Sequence, residues 1–146
     1  MRKLLLIGLL LLSGCSSKVK KEDLYRVNVN GIDVTVGYDS SLDEGIKVEE
    51  VNYYTDEKEN TYLSDLEFYL SDVSDYVSLD GYDLRNGIKN TCEHFKGELI
   101  EKNGTACLIS KVVKNRENYV VIYGDLLDDN TDRVDRIEIH YNYAND

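Results

Sequence analysis

Apolar and polar residues alternate over much of the chain, which is the pattern of antiparallel strands with one face in a core. The first clear case is a pair of alternating runs, 26–29 and 32–36, on either side of Asn30-Gly31. A two-residue type I′ turn requires a positive φ at both central residues, which Asn and Gly tolerate, so these runs predict a hairpin. Its register places five apolar side chains on one face, namely Val27, Val29, Ile32, Val34 and Val36.

The C-terminal third alternates in the same way and predicts an antiparallel meander. The predicted strands are 98–102, 105–113, 118–124 and 134–143. One face of the last strand carries Ile137, Ile139, Tyr141 and Tyr143. The opposite face carries Glu138, His140 and Asn142. A polar face of this kind indicates a sheet that is covered on one side only.

Helical spacing is clearest between Asp83 and Gly97. The apolar stripe in this segment consists of Leu84, Ile88, Cys92 and Phe95. Asp83 is a good N-cap residue, and Gly97 suits the left-handed conformation that ends many helices. We therefore predict a helix over 84–96.

The segment 62–77 is ambiguous between helix and strand. Helical spacing connects five of its residues, namely Leu63, Leu66, Leu70, Val73 and Val77. Leu66, Phe68 and Leu70 would also form one face of a strand. The longer stripe favours a helix over 63–74.

These elements predict an α+β fold, in which an antiparallel β-sheet of hairpins and the C-terminal meander packs on one main helix. We expect a single domain over 24–146, because a chain of this length supports one core. The short polar segment 15–23 is expected to be a tether in front of that domain.

Residues 1–14 have the composition of an export signal. A basic pair, Arg2-Lys3, precedes an apolar run over 4–12. This run is too short to remain as a membrane span, which needs about 20 apolar residues. The run ends in Leu12-Ser13-Gly14-Cys15, which resembles the lipobox of bacterial lipoproteins. A plain secretory signal with a chance cysteine is the alternative.

The resemblance to lipoproteins implies that diacylglycerol is transferred to the Cys15 sulfur, that the chain is cleaved before Cys15, and that the new amino group is acylated, for example with palmitate. Two or more acyl chains form a stable anchor, whereas one chain binds a bilayer only marginally. The implied location is the extracytoplasmic face of the cell membrane. The mature part resembles small lipoproteins of low-GC Gram-positive bacteria that have no assigned activity.

The chain is strongly acidic. Its formal net charge is −11, and loss of Arg2 and Lys3 with the leader changes this to −13, since every Asp and Glu follows Cys15. This charge argues against nucleic acid as a partner, because affinity for phosphates comes from Lys and Arg. Lys18, Lys20 and Lys21 follow the expected anchor and are expected to reach lipid head groups.

Cys92 and Cys107 remain after lipidation of Cys15, in a compartment where disulfides form. A two-residue turn at Asn103-Gly104 would pair Cys107 with Ile100, on the face that the helix carrying Cys92 covers. The two sulfurs are therefore expected in one space, either as a disulfide or as two reduced core residues. A disulfide across this loop would contribute about 3 kcal/mol.

Two groups of candidate metal ligands do not meet the requirements of a metal site. Cys92 and His94 lie close in sequence, but zinc needs three or four ligands, and His140 is expected on the opposite face. The acidic loop 125–132 lacks the Gly and the Glu that an EF-hand requires at its sixth and twelfth positions. We therefore predict no metal site and interpret the loop as a solvated acidic hairpin loop, with an irregular weak calcium site as the alternative.

The chain has no Gly-rich phosphate loop and no GxSxG, HExxH or CxxC motif, so we expect no cofactor and nominate no catalytic residue. Its 12 Tyr suit either partner recognition or core packing and strand formation. The favoured function is a binding module for a protein or glycan at the cell surface. The alternatives are an inhibitor that protects the envelope from enzymes, and a small surface hydrolase.

Overall fold

The computed structural model describes residues 19–73, 76–124 and 132–142. Within these ranges the chain forms two antiparallel sheets and short helical segments, which is the α+β fold expected from the sequence. The strands are β1 (Arg26–Val29), β2 (Ile32–Thr35), β3 (Glu50–Thr55), β4 (Thr61–Tyr69), β5 (Val77–Leu79), β6 (Tyr82–Asp83), β7 (Glu98–Ile100), β8 (Ala106–Val113), β9 (Arg116–Gly124) and β10 (Val134–Tyr141). The helices are α1 (Leu70–Val73) and α2 (Ile88–His94), with 3₁₀ turns at Lys21–Asp23 and Leu84–Asn86.

The four-stranded sheet has the order β2-β1-β5-β6 and consists of two tight hairpins side by side. Asn30 and Gly31 have positive φ angles of 56° and 92°, as the turn between β1 and β2 requires, so the first predicted hairpin is confirmed. Asp80 and Gly81 form the turn between β5 and β6 in the same way. Four of the apolar side chains expected on one face are buried, namely Val27, Val29, Val34 and Val36.

The six-stranded sheet has the order β3-β4-β10-β9-β8-β7. The predicted meander is confirmed, because β7 to β10 are joined in chain order by antiparallel pairs. Strand β4 pairs with the other side of β10, although the paired residues Asp65 and His140 lie 75 positions apart in the chain. Strand β3 is the hairpin partner of β4 and forms an edge of the sheet.

The prediction of a helix over 63–74 is wrong, because most of this segment is strand β4 and only α1 makes a helical turn. A β-bulge leaves Ser64 without a partner on β3. Leu63 and Leu66 therefore both face the core although an odd number of steps separates them. The three-residue spacing that suggested a helix results from this bulge.

The predicted helix over 84–96 is divided in the structure. Its first part is a 3₁₀ turn capped by Asp83, whose Oδ1 accepts a hydrogen bond from the backbone N–H of Arg85 at 2.9 Å. Gly87, with a φ of 96°, then interrupts the helical backbone, and α2 begins at Ile88. The N-cap was therefore predicted correctly, but the helix behind it is only seven residues long.

A residue that is distant in the sequence supports the start of α2. Asp132 accepts a hydrogen bond from the first N–H of α2 through its carbonyl, at 2.8 Å, and from the N–H of Lys89 through Oδ1, at 2.9 Å. At the other end, Lys96 with a φ of 56° takes the left-handed position expected for Gly97. Gly97 instead permits the close approach of β8, because a Cβ there would lie 2.8 Å from the sulfur of Cys107.

The inner faces of the two sheets meet in one hydrophobic core. The six-stranded sheet contributes Leu63, Leu66, Phe68, Val120, Ile122, Ile137 and Ile139. The helix α2 packs against β7, β8 and β9, and it adds Ile88 and Cys92 to the same core. The four-stranded sheet and α2 thus cover one face of the six-stranded sheet, and the other face points away from this core.

The leader 1–14 and Cys15 lie outside the described residues. None of the helices in the described ranges is long and apolar enough to span a membrane. The expectation of a single domain over 24–146 with a tether at 15–23 stays a prediction.

Candidate functional site

The candidate site is the face of the six-stranded sheet that points away from the core, which we call the outer face. Alternate side chains along each strand point to this face, and the register aligns most of them in three rows across the sheet. Val112 and Glu117 form a further pair on this face, where β8 and β9 join. The first row is Tyr69, Arg136, Tyr123, Ala106 and Ile100. The second row is Glu50, Glu67, Glu138, Val121, Leu108 and Glu98. The third row is Asn52, Asp65, His140, Tyr119 and Ser110.

Arg136 is held at the centre of the first row by two rings and two carboxylates. Its guanidinium carbon lies 3.9 Å from the ring centroid of Tyr123 and 5.9 Å from that of Tyr69. It forms an ion pair with Glu67 on β4 and lies 3.4 Å from a carboxylate oxygen of Glu138. Because the side chain is only 25% exposed, these contacts fix a cation whose charge water screens only in part.

The hydroxyl of Tyr123 belongs to the same network. Partial burial, together with the hydrogen bond that this hydroxyl donates to Glu138, raises the pKa of Tyr123 to about 12. The phenol therefore stays protonated at neutral pH and acts as a donor. Glu138 consequently connects the first row of the outer face to the second.

His140 connects the second and third rows of the outer face. Its Nδ1 lies 2.6 Å from Oδ1 of Asp65, and its Nε2 lies 3.1 Å from Oε1 of Glu138. The imidazole ring stacks on Tyr119 with 4.6 Å between the ring centroids. Each ring nitrogen therefore faces a carboxylate, and one face of the ring is covered by a tyrosine.

The network has a chemical consequence, because it occupies the groups that would otherwise be reactive. Both nitrogens of His140 face carboxylates, so the ring presents no free nitrogen to a substrate proton or to a metal ion. Asp65 and Glu138 lie on opposite sides of the ring and therefore cannot converge on a single ion. The arrangement is rigid and suited to contact with a partner.

Several apolar side chains lie on the part of the outer face toward β7 and β8, beside Glu98 and Ser110. Val112 on β8 is 69% exposed, and Ile100 on β7 is 42% exposed. Leu108 and Val121 are neighbours in the second row, next to Glu138. An exposed apolar strip next to rings and charges is the composition of a protein–protein contact surface.

The tyrosines of the chain lie mostly outside the core. Among the described tyrosines only Tyr25 is buried, and the others are half-buried or exposed. Three of them lie on the outer face, namely Tyr69, Tyr119 and Tyr123. Most of the described tyrosines lie in strands, as strand preference predicts, and alternation turns the rings of these three away from the core.

The sequence predicted the part of this site that lies on β10. The alternation of the last strand correctly placed Glu138 and His140 on a polar face opposite Ile137 and Ile139. Their partners on β4 were missed, because the bulge in that strand made its spacing resemble that of a helix. Strict alternation from Asp65 to Tyr69 was the signal that could have identified them.

Cys92 and Cys107 are joined in the structure, with an S–S distance of 2.11 Å and a Cα–Cα distance of 5.7 Å. The expected register is wrong by one residue, because Cys107 pairs with Leu99 and not with Ile100. The connection between β7 and β8 is longer than the two residues assumed for Asn103-Gly104. Both sulfurs still lie on the inner face, where the bond fastens α2 to β8.

The other candidate ligands are dispersed. His94 stacks on Tyr82 with 4.0 Å between the ring centroids, and the sulfur of its neighbour Cys92 is committed to the disulfide. Residues 125–131 of the acidic loop lie outside the described ranges, and Asp132 caps α2. Across residues 19–73, 76–124 and 132–142, no three His, Cys, Asp or Glu side chains are grouped to hold a metal ion.

A small pocket lies away from the outer face. It has a volume of about 180 Å³ and is lined by Leu70, Ser71, Val77, Leu84, Arg85, Arg133, Val134 and Asp135. Sites for drug-sized ligands usually have roughly 300–1,000 Å³. This pocket contains none of the rings and carboxylates that make up the network of the outer face.

Comparison of the chain with protein-family models, with curated proteins and with solved structures gives no match. The assignment of a role to the outer face therefore depends on its geometry and chemistry alone.

Proposed function

We propose that the protein is a lipid-anchored extracytoplasmic binding module that contacts its partner through the outer face. The observation that carries this proposal is the network of Arg136, His140 and three carboxylates, which packs against tyrosine rings on the sheet face opposite the core. Tyr and Arg dominate the binding energy of many protein interfaces. Side chains that are already fixed lose little entropy on binding.

The same geometry supports binding over catalysis. A hydrolase needs a base with a free lone pair near a nucleophile or a water molecule. His140 directs both of its nitrogens to carboxylates. A surface whose charged and aromatic side chains already contact one another is consistent with recognition of a macromolecule.

The proposed anchor is the lipid on Cys15. The tether that follows is short, because the domain core already includes Leu24, which is 2% exposed. The nine residues 15–23 span at most about 32 Å when fully extended. The proposal therefore places the outer face close to the cell surface, where its partners would be surface or envelope components.

Site-specific photo-crosslinking in the native cell tests this function. A photo-reactive residue at Ser110, which is exposed in the third row, should give a discrete crosslinked product. The matched control is the same residue at Ser41, which is exposed in a loop outside the six-stranded sheet. Tyr119→Ala next to Ser110 should reduce the product at least severalfold. Equal products from both positions, or no effect of Tyr119→Ala, would contradict a binding role of the outer face.

A further inference from the structure

We propose that the partner of the outer face is a basic polypeptide segment, rich in Arg or Lys, that lies along the second row. This inference rests on the proposed function and names the chemical class of the partner.

The charge balance of the outer face is the first argument. Within the described residues this face carries six carboxylates, namely Glu50, Asp65, Glu67, Glu98, Glu117 and Glu138. Only Arg136 and His140 oppose them there, so an excess of negative charge remains even when His140 is protonated. Complementary charge is the property that steers partners to such a surface.

The position of the carboxylates is the second argument. Asp65, Glu67 and Glu138 are already in contact with Arg136 and His140. Glu50 and Glu98 are exposed at the two edges of the sheet, at the ends of the second row. They lie outside the ion pairs that hold Arg136 and His140.

The second row has the length of a short extended peptide. Six strands at a spacing of about 4.8 Å extend over roughly 24 Å, which corresponds to about seven residues of extended chain. Val121 and Leu108 interrupt the acidic residues of this row. The row therefore fits a segment with cationic side chains at both ends and apolar side chains between them.

The outer face already binds one guanidinium within the molecule. Arg136 lies against the ring of Tyr123 while its guanidinium pairs with Glu67 and Glu138. An incoming guanidinium meets the same combination of carboxylate and aromatic group. Anionic partners such as nucleic acid, and a second copy of the same face, would meet repulsion instead.

Two triple variants with the same net charge test the inference. Glu50→Gln, Glu98→Gln and Glu117→Gln remove three exposed charges from the outer face. The control changes three carboxylates that are also exposed but lie on the helix and loop side, namely Glu22→Gln, Glu44→Gln and Glu93→Gln. The full lipoprotein, in micelles of an uncharged detergent, is titrated with a fluorescent nona-arginine peptide at low salt.

We expect the outer-face triple variant to weaken peptide binding about tenfold, and the control triple variant to weaken it less than about twofold. Equal weakening by the two variants, or absence of binding to the wild-type protein, would overturn the inference. A second measurement leaves all carboxylates unchanged. Ser110→Arg, which adds a positive charge to the outer face, should weaken peptide binding, whereas Ser41→Arg, outside the six-stranded sheet, should not. Near-ultraviolet circular dichroism checks that each variant keeps its fold.

The outcomes separate this inference from the proposed function. A crosslinked product at Ser110 without any difference between the two triple variants means that the outer face binds a partner of other chemistry. If neither a crosslinked product at Ser110 nor a difference between the two triple variants is observed, the proposed binding function is contradicted.

Discussion

At the scale of single residues, the outer face is defined by which groups each charged side chain touches. Glu138 lies within 3.4 Å of Arg136 and within 3.1 Å of His140, and it also accepts from Tyr123. One carboxylate thus orients three neighbours on β9 and β10. Removing a member of such a network leaves the remaining charges half-buried and unpaired, which usually costs more than the pair contributes.

Tyr123 provides a prediction at this scale. Its pKa in the folded protein is raised to about 12 from 10.0, so the stability that it contributes is fully present below pH 10 and is lost as the pH rises toward 12. In an absorbance titration near 295 nm, the Tyr123→Phe variant should therefore lose the signal of one tyrosine from those that ionise well above pH 10 in the wild type. The unfolding free energy of the wild type should also fall more steeply between pH 10 and 12 than that of the variant.

Glu138→Gln is the control for this titration. It keeps the ring of Tyr123 in place but removes the charge that disfavours the phenolate, so the absorbance of Tyr123 should change at a lower pH than in the wild type. If Tyr123→Phe removed signal only from the early part of the titration, the described hydrogen bond to Glu138 would be wrong.

At the scale of elements, the packing of α2 depends on residues from other parts of the chain. The helix has only seven residues and would not be stable alone in water. Asp132 caps its beginning, the Cys92–Cys107 bond fastens its middle to β8, and Gly97 lets β8 approach its end. The helix is therefore a product of the tertiary structure.

The disulfide provides a prediction at this scale. Replacing both cysteines, Cys92→Ala with Cys107→Ala, should lower the unfolding free energy by about 3 kcal/mol, because a closed loop of this length restricts the unfolded chain. Denaturant titration without reductant measures the difference. With an excess of reductant the wild type should approach the variant, and equal stability of the two proteins without reductant would show that the bond is not formed.

At the scale of the whole molecule, the proposed lipid anchor and the outer face lie at different parts of the chain. The proposed anchor belongs to the first fifteen residues, whereas the network of the outer face is built from β4, β9 and β10. The proposed function at the cell surface requires both parts. Because the two parts share no residues, each can be tested by its own substitution.

Cys15→Ser tests the anchor by itself. The variant should leave the membrane fraction of the native cell, since the sulfur that would receive the lipid is absent. Cys107→Ala is the matched control, because it removes a cysteine that lies in the core and should leave membrane attachment unchanged. Equal amounts of Cys15→Ser and wild type in washed membranes would exclude lipidation at this residue.

The sequence by itself determined the features that depend on neighbours in the chain. Asn30-Gly31 specifies a turn because both residues tolerate a positive φ, and alternation from Val134 onward specifies which side chains of β10 face the core. These signals are local, so they were sufficient for the fold class, for the meander and for one side of the candidate site.

The tertiary structure alone decided the pairing of β4 with β10. Asp65 and His140 are 75 residues apart, and local spacing contains no information about a bond over that distance. The bulge at Ser64 also made the strand unrecognisable from its spacing. The bulge allows both Leu63 and Leu66 to be buried, and the core that buries them forms only in the tertiary structure. Strand pairing is a non-local choice, and the network of the outer face exists only once that choice is made.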